Sequence, residues 1–586
     1  MRQWMVAAKK ADFYAIAEKF HVDPVVARII RNREVIGEKN IRIYLGGNLS
    51  DLSDPHQMKD MDRLVEILAQ KIRKQVHIRI IGDYDVDGVT SSHLFLTALR
   101  RVGAKVDVVI PHRIQDGYGL SLHLLQQAKE DGVDTILTCD NGIAAIDEIA
   151  WAKAQKMTVL VTDHHAVPFE EHEGRRTEKK SLADAVVNPH QQDCGYPYKE
   201  LCGAGVAWNV IRVLYENYDM DKREAEDLLD FVAMATVCDV MSLTGENRIL
   251  VKEGLKRIRH TKNIGLQALM QACNVQPENI SAYHFGYVLG PCVNATGRLD
   301  TARHALRLFE TGQETEAEEI ARDLVDLNQE RKELTLQGVE MAKKLCEEGG
   351  YENDPVLVLF LPDVHESIAG LIAGRIREMY NRPVFVLTRG EEGVKGSGRS
   401  TENYSMYENM CGCAELFTKF GGHPMAAVLS LPEENVEKFR RKINENCPLT
   451  VEEVCPDIHI DMAMPVGYAS TELVHQFALL EPFGKDNPSP LFADRNLSIS
   501  RMWLIGKNRN VLRMSVLSEY GQPVPVIFFG DVETLFAYFT EKFGQEEVEN
   551  ALHGRKNRIL FSMVYTAKID FYQGNENLQL EMKYYR

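Results

Sequence analysis

In the run Ile80–Thr90, IIGDYDVDGVT, three aspartates (Asp83, Asp85 and Asp87) alternate with Tyr84 and Val86 where an apolar β-strand runs out. Carboxylates so closely spaced repel one another unless a cation or basic side chains neutralise them. The stretch therefore predicts a divalent-metal site, to which the rest of the chain must bring further ligands. An EF-hand loop also places acids at its first, third and fifth positions, but its twelfth would here be Leu94 instead of a glutamate. A strand also precedes the run where an EF-hand needs a helix, so that reading is excluded.

The period of the apolar residues supplies the frame. Strands are expected at Val76–Ile81, Val106–Ile110, Asp134–Thr138, Met157–Val161 and Ala185–Val187, with helices at Thr90–Val102 and Ala144–Ala154. Strands alternating with helices predict a parallel, doubly wound sheet. The acids and histidines then fall at C-terminal strand ends, the edge where open α/β sheets hold ligands. Asp83, Asp85 and Asp87, Asp140 in CDNG, and Asp163-His164-His165 in TDHH are expected to converge there. Asp239 lies at the end of an amphipathic helix expected over Glu224–Val237. Adjacent histidines in an extended segment point to opposite sides, so one is read as a metal ligand and the other as facing substrate or a carboxylate. A carboxylate-rich set with imidazole and no thiolate suits Mn²⁺ or Mg²⁺. It holds too many acids for one ion and suits two, the arrangement that hydrolyses phosphoesters.

A chain of 586 residues exceeds one core. We divide it into an N-terminal helical cap (1–70), a catalytic domain (71–313), a connector helix (314–350), a second α/β domain (351–450) and a β-barrel (451–586). The connector rests on Glu314–Glu348, whose Ala317, Ile320, Leu324, Leu327, Leu334, Met341 and Leu345 form one apolar seam, interrupted at Arg331 and Gly338. In the second domain Gly396 and Gly398 of GVKGSGRS are expected to let backbone N–H groups approach an anion.

The net charge of −17 excludes a global field that attracts nucleic acid, so any polyanion must be held by local bases and metal ions. One such patch stands out. Arg495, Arg501, Lys507, Arg509 and Arg513 surround Trp503 with no acid between 495 and 518, which suits single-strand binding by charge and stacking. The eleven cysteines include no CxxC pair, which excludes a zinc ribbon and a disulfide framework. No GxxxxGK[ST] loop occurs, which disfavours a motor. Without a signal-peptide core or a membrane-length apolar run, the chain is read as cytoplasmic, monomeric and free of the membrane.

The tripeptide DHH at 163–165, with DxDxDG and TCDNG before it, resembles the DHH phosphoesterase superfamily. CGAGVAW (Cys202–Trp208), CDV with ENR (Cys238–Arg248), NATGRLD (Asn294–Asp300), SGRS, GGH and EPFGKDNPSPLF (Glu481–Phe492) narrow the resemblance to that superfamily's single-strand-specific DNA exonucleases. It implies an α/β multidomain fold: a parallel-sheet DHH domain, a smaller DHH-associated domain joined by the long helix, and an OB-like barrel. It implies a metal centre of Asp83, Asp85, Asp87, Asp140, His164 and Asp239, with His165 at the scissile phosphate. Asn294, Arg298, His365, Arg375, Ser397, Arg399 and His423 would contact substrate phosphate, and Arg501, Trp503, Lys507, Arg509 and Arg513 the strand on the barrel.

The implied activity is 5′→3′ hydrolysis of single-stranded DNA to mononucleotides in repair and recombination, with a helicase and a single-strand-binding protein as partners. The alternatives are a DHH phosphodiesterase of oligoribonucleotides or cyclic dinucleotides, and a non-catalytic replication scaffold. Two departures stand out: Val364 where such chains carry tryptophan before His365, and Asp486 where glycine is usual.

Overall fold

The structure is a computed structural model that describes residues 3–113, 116, 119–172, 175–390, 393–506, 510–572 and 574–586. It comprises two compact units, residues 48–456 and residues 3–47 with 457–586.

The first unit begins with a five-stranded sheet of β1 (His77–Ile81), β2 (Lys105–Val109), β3 (Thr135–Cys139), β4 (Thr158–Thr162) and β5 (Ala185–Val187). All pairs are parallel, in the order β2-β1-β3-β4-β5. From β1 the chain turns first to one side and then to the other. The crevice beyond the C-terminal ends of β1 and β3 is therefore the topological switch point, where such sheets bind ligands. TILTC and TVLVT are near-continuous apolar runs because helices cover both faces.

Helix α1 (Val86–Arg101) starts four residues before the expected Thr90. Asp85 is its N-cap, accepting the Gly88 N–H at 3.0 Å, so cap chemistry, not the apolar period, sets its start. Every residue from Val86 to Leu96 is buried, against the sheet and against α2 (Gly203–Asn217) and α3 (Leu229–Cys238). A turn at Asp227-Leu228 divides the helix expected over Glu224–Val237, leaving Lys222–Glu226 as a separate short helix.

After α4 (Gly290–Leu299), α5 (Glu314–Glu348) runs for 35 residues into a second lobe. There β6 (Leu357–Phe360), β7 (Val384–Gly390), β8 (Gly393–Arg399), β9 (Lys419–His423) and β10 (Ala426–Leu431) form a sheet in the order β9-β10-β8-β7-β6, backed by α6 (Ala369–Tyr380). The first half of α5 buries Ala317, Ile320, Ala321 and Leu324 in the first core, and the second half Val339, Ala342 and Cys346 in another. The expected single seam is therefore displaced: Met341 is exposed, and Gly338 lies against Ile372. A straight helix drifts about 20° per heptad from a 3.5-residue seam, so its buried line moves as it passes between cores. Val364 is buried in the second lobe's core.

In the second unit Phe492–Ile505, Val511–Leu517, Pro523–Phe528, Leu560–Tyr572 and Asn575–Tyr585 form a barrel, closed where the first strand pairs with the fourth. Helices Val532–Phe543 and Gln545–Leu552 sit between its third and fourth strands. Val25, Val26, Ile29 and Ile30 share one apolar core with Val466, Leu473 and Phe477, and Trp4–Val6 pairs with Ile458–Ile460. Arg33 is bidentate to Asp461 at 2.6 and 3.1 Å. Residues 1–70 thus do not form one cap. Residues 3–47 belong to the barrel unit, whereas Leu64, Leu68 and Ile72 of Met61–Arg73 lie in the sheet's core. An apolar stripe announces that a helix will be buried but not against what. Asp486 stands at φ 59°, a left-handed conformation that glycine takes freely and aspartate visits occasionally. Among the described residues no helix is long and apolar enough to cross a membrane.

Candidate active site

Two of the acids of the opening run are held by identifiable devices, and the third is simply buried. Asp85 caps α1. Asp87, in the first turn of α1, accepts the N–H groups of Gly203 at 2.6 Å and Ala204 at 2.7 Å, at the start of α2. Its charge thus sits on the positive end of a second helix, which accounts for the CGAG sequence. A Cβ on Gly203 would lie 2.6 Å from Asp140 Cβ, so only glycine lets α2 start this close. Asp83 precedes both and is buried, with Oδ1 finding no hydrogen-bond partner among the described residues.

From the neighbouring strand end comes Asp140, at φ 62°. Aspartate is one of the few non-glycine residues that visit this left-handed region. Asn141 beside it donates to the carbonyls of Ile81 at 3.0 Å and Cys139 at 2.9 Å, tying the ends of β1 and β3 together. His164 follows β4, and its Nε2 lies 3.0 Å from Asp140, 3.6 Å from Asp239 and 3.7 Å from Asp87. Asp239 caps the C-terminus of α3, where the helix dipole disfavours an anion. Asp163 accepts the N–H groups of Ile143, His164 and His165 at 2.9, 2.7 and 3.0 Å, and lies 2.8 Å from His165 Nδ1. It therefore positions His165.

The donor atoms fall into overlapping sets, each within 4.8 Å: Asp83, Asp85 and Asp140; Asp87, His164 and Asp239; and Asp140, His164 and His165. Burial, with the charges of the neighbouring aspartates, raises the carboxyl pKa of Asp83, Asp87 and Asp140, to about 6 for Asp87. Burial and the nearby His165 push His164 down to about 3, leaving a neutral imidazole, the form that ligates metals. Burial would also lower His165, but the Asp163 hydrogen bond together with the charges of Asp163, Asp239 and Asp87 outweighs it and lifts the imidazole to about 9. Buried acids short of positive charge, an unsatisfied inward carboxylate oxygen and a neutral imidazole fit two adjacent divalent cations with oxygen-rich shells. Burial raises the thiol pKa of Cys139, Cys202 and Cys238 nearby, keeping them protonated and poor ligands.

Beside this centre a cavity of about 420 Å³ is lined by Tyr84, Arg113, Arg298, Ser397 and Arg399, with Lys395 and Lys419. Burial, with the charges of Arg113, Arg331 and Arg399, pulls the Arg298 guanidinium down to about 9. Burial and Arg113 lower Arg399 as well. Crowded cations that depress one another are stabilised by an anion among them. Arg298 Nη1 donates to the Ser367 carbonyl at 2.6 Å, and Arg399 Nη1 to Ser397 Oγ at 3.2 Å and the Gly398 carbonyl at 2.7 Å.

Gly396 and Gly398 act otherwise than expected. They lie in β8, paired on both sides, where a Cβ would strike Leu387 and Leu429, or Met406 and Phe385. The absence of a Cβ at both brings the sheet close to its core, while the side chains of Lys395, Ser397 and Arg399 on the alternate face line the cavity together with Gly396.

The other candidates are spread more widely. Asn294 Oδ1 accepts the Val86 N–H at 3.1 Å and so braces the acidic run. His365 Nδ1 lies 2.7 Å from Ser367 Oγ at the cavity's edge. His423 lines a neighbouring cavity with Asp163 and His165. Arg375 is 67% exposed on α6, 3.3 Å from Glu378, and is not among the residues lining either cavity. On the barrel, Arg501 lies 5.7 Å over the Trp503 ring, and Trp503 pairs across strands with Arg513. Lys507 and Arg509 lie outside the described residues. Arg113 and Tyr84 were missed by the sequence reading. Arg113 follows the C-terminal end of β2, so the strand-end rule that found the acids would also have found it.

Fold and site together define a member of the DHH family: the DHH N-terminal domain matches residues 77–236, the DHHA1 domain 353–447 and the RecJ OB domain 460–584. The single-stranded-DNA-specific exonuclease RecJ of Haemophilus influenzae is 32% identical over 582 residues, 96% of each chain. That of Bacillus subtilis is 32% identical over 512 residues, 87% of this chain and 63% of that one. The chain belongs to the RecJ family. The crystal structure of RecJ in complex with Mn²⁺ from Thermus thermophilus superposes with a TM-score of 0.81 at 24% identity, covering all of this chain and 79% of that one. A manganese-bound exonuclease RecJ, 31% identical, covers 66% of this chain and 94% of its own, with a TM-score of 0.57.

Proposed function

We propose that this protein is a divalent-metal-dependent exonuclease that hydrolyses single-stranded DNA in the 5′→3′ direction, releasing mononucleotides during repair and recombination. The observation that carries the reading is the juxtaposition, in a RecJ-family chain, of a buried acid-imidazole centre with a cavity of crowded guanidinium groups. Asp83, Asp85, Asp87, Asp140, His164 and Asp239 would hold two Mn²⁺ or Mg²⁺ ions. Bound there, such ions supply an activated water and charge neutralisation at the leaving oxygen.

The chain's own residues do the rest. Arg298, Arg399, Arg113 and Ser397 grip phosphate, fixing the strand against the acidic wall. His165, oriented by Asp163 through Nδ1, turns its other ring nitrogen toward a phosphate oxygen and stabilises the charge that gathers there as the bond breaks. Arg501, Trp503 and Arg513 add affinity for longer strands by charge and stacking. The implied partners are a helicase that exposes single strands and a single-strand-binding protein, with the enzyme acting as a cytoplasmic monomer.

The test is a digest of end-labelled single-stranded DNA with and without Mn²⁺, using 5′- and 3′-blocked substrates and a 5-mer against a 40-mer. Metal-dependent release of mononucleotides, stopped by the 5′ block, is expected. Preference for the 5-mer, or an intact strand with Mn²⁺ present, would overturn the reading.

A further inference from the structure

Two tyrosines outside this machinery present their rings to solvent. Tyr283 is 62% and Tyr287 71% exposed. Their centroids lie 5.1 Å apart with 22° between the ring planes, a stacked pair. Exposed paired aromatics on a helix contribute little to a core, and a flat ring face in water is what an unpaired base seeks.

Their position gives them an occupant. The segment turns through a π-helical stretch, Phe285–Leu289, and continues directly into α4. From Gly290 to Arg298 only Pro291, Asn294 and Arg298 escape full burial. Tyr283, Tyr287, Pro291, Asn294 and Arg298 are spaced by four, four, three and four, so they fall on one stripe of the helix. One end of that stripe braces the acidic run through Asn294 and enters the guanidinium cavity through Arg298. The other end carries the ring pair. The π-helical turn is pinned beside the metal centre, because the Phe285 carbonyl accepts the Cys238 thiol at 3.3 Å, one residue before Asp239. Helices of this type cluster at functional sites.

We infer that Tyr283 and Tyr287 form a stacking platform for unpaired bases of the bound strand, a few nucleotides from the phosphate held by Arg298. The inference rests on the proposed function. Arg298 follows Tyr287 by eleven positions, about 17 Å along a helix. At about 3.4 Å per stacked nucleotide this spans roughly five nucleotides, and fewer if the strand is stretched. The platform therefore serves substrates that extend past the cavity and is out of reach of very short ones.

The test compares wild type, the double variant Tyr283→Ala/Tyr287→Ala and the double variant Tyr283→Phe/Tyr287→Phe. Binding of fluorescein-labelled oligothymidylate 20-mer and trimer is read by anisotropy in EDTA, where no cleavage occurs. Photo-crosslinking with single 5-iodouracil substitutions is run in parallel. Alanine is a good helix former, so the exposed substitutions leave the fold intact. The alanine pair should bind the 20-mer about five- to thirtyfold more weakly, with the phenylalanine pair close to wild type. The trimer should bind all three proteins alike, and wild-type crosslinks should map to Tyr283 or Tyr287. An unchanged 20-mer affinity without such crosslinks would overturn the platform, and would assign the rings to a protein partner if a pulled-down protein were lost with them. If wild type itself neither binds nor degrades single-stranded DNA, the proposed function falls first. Wild-type degradation with a silent alanine pair overturns the platform alone.

Discussion

His165 Nδ1 and Asp163 Oδ1 stand 2.8 Å apart, and the same carboxylate collects three backbone N–H groups, so Asp163 fixes both the ring and the chain that carries it. Burial alone would raise Asp163, but the hydrogen bond and charge of His165 hold its carboxyl below the ordinary range. Asp163→Asn removes the charge that orients and protonates His165 while leaving the ligating acids untouched. Turnover should fall about a hundredfold or more, with bound manganese per chain unchanged by elemental analysis. Turnover within threefold of wild type would remove Asp163 from the mechanism.

Gly203 offers a purely steric test. A methyl group there meets Asp140 Cβ at 2.6 Å and Oδ1 at 2.8 Å, so either α2 or the Asp140 carboxylate must shift. Gly203→Ala should lower stability by about 1–3 kcal/mol and weaken Mn²⁺ binding in calorimetry by at least tenfold. Retention of both stability and affinity would mean that the acidic wall is softer than its packing implies.

The carboxylates of Asp83, Asp87 and Asp140 have folded-state pKa values above the unfolded ones, through burial and mutual repulsion. Between the two values the folded state binds more protons, so the contribution of these three groups to the stability of metal-free protein falls as pH rises from about 4 through about 6, against the opposite contribution of His164. Asp83→Asn should raise the melting temperature in EDTA, because a buried charge with an unpartnered oxygen is gone. The same variant should gain less than wild type from added Mn²⁺. Thermal melts across pH, with and without the metal, give both numbers. A variant less stable than wild type in EDTA would contradict this account.

How much of this was legible beforehand depended on which physical signal carried it. Asp83, Asp140 and His164 could be placed together because apolar strands have an unmistakable period and parallel sheets put their ligands at one edge. The Gly203 and Ala204 N–H groups that hold Asp87 left no such trace, because backbone donors are anonymous in a sequence. The glycines of β8 misled, since glycine marks close packing as readily as an anion cradle, and only the two-sided strand pairing distinguishes them. The partition of residues 3–47 from Met61–Arg73 was invisible because both carry apolar stripes of the same kind.

Arg399 and Arg298 share a cavity in which burial lowers both guanidinium groups, Arg113 lowers each, and the Arg399 charge lowers Arg298 further. Arg399→Gln keeps the shape and some hydrogen bonding but removes one cation. It should raise KM for single-stranded DNA about tenfold or more, and flatten the logarithmic salt dependence of binding by about 0.7 per lost phosphate contact. Manganese binding should not change. An unaltered salt slope would show that no phosphate lies against this guanidinium.

Arg501, Trp503 and Arg513 lie on two paired strands, with the Arg501 guanidinium 5.7 Å over the indole and Arg513 directly across from it. Met502, Leu512 and Met514 alternate with them into the barrel core, so these three side chains project outward together. Replacing all three with alanine removes two cations and one stacking face without touching that core. Affinity for a 40-mer should drop about tenfold or more and its salt slope by about 1.4, while turnover of a very short substrate stays near wild type. A substitution that slowed the short substrate equally would mean that this face supports the barrel's fold and leaves the strand to other residues. Circular dichroism melts of the triple variant separate the two outcomes.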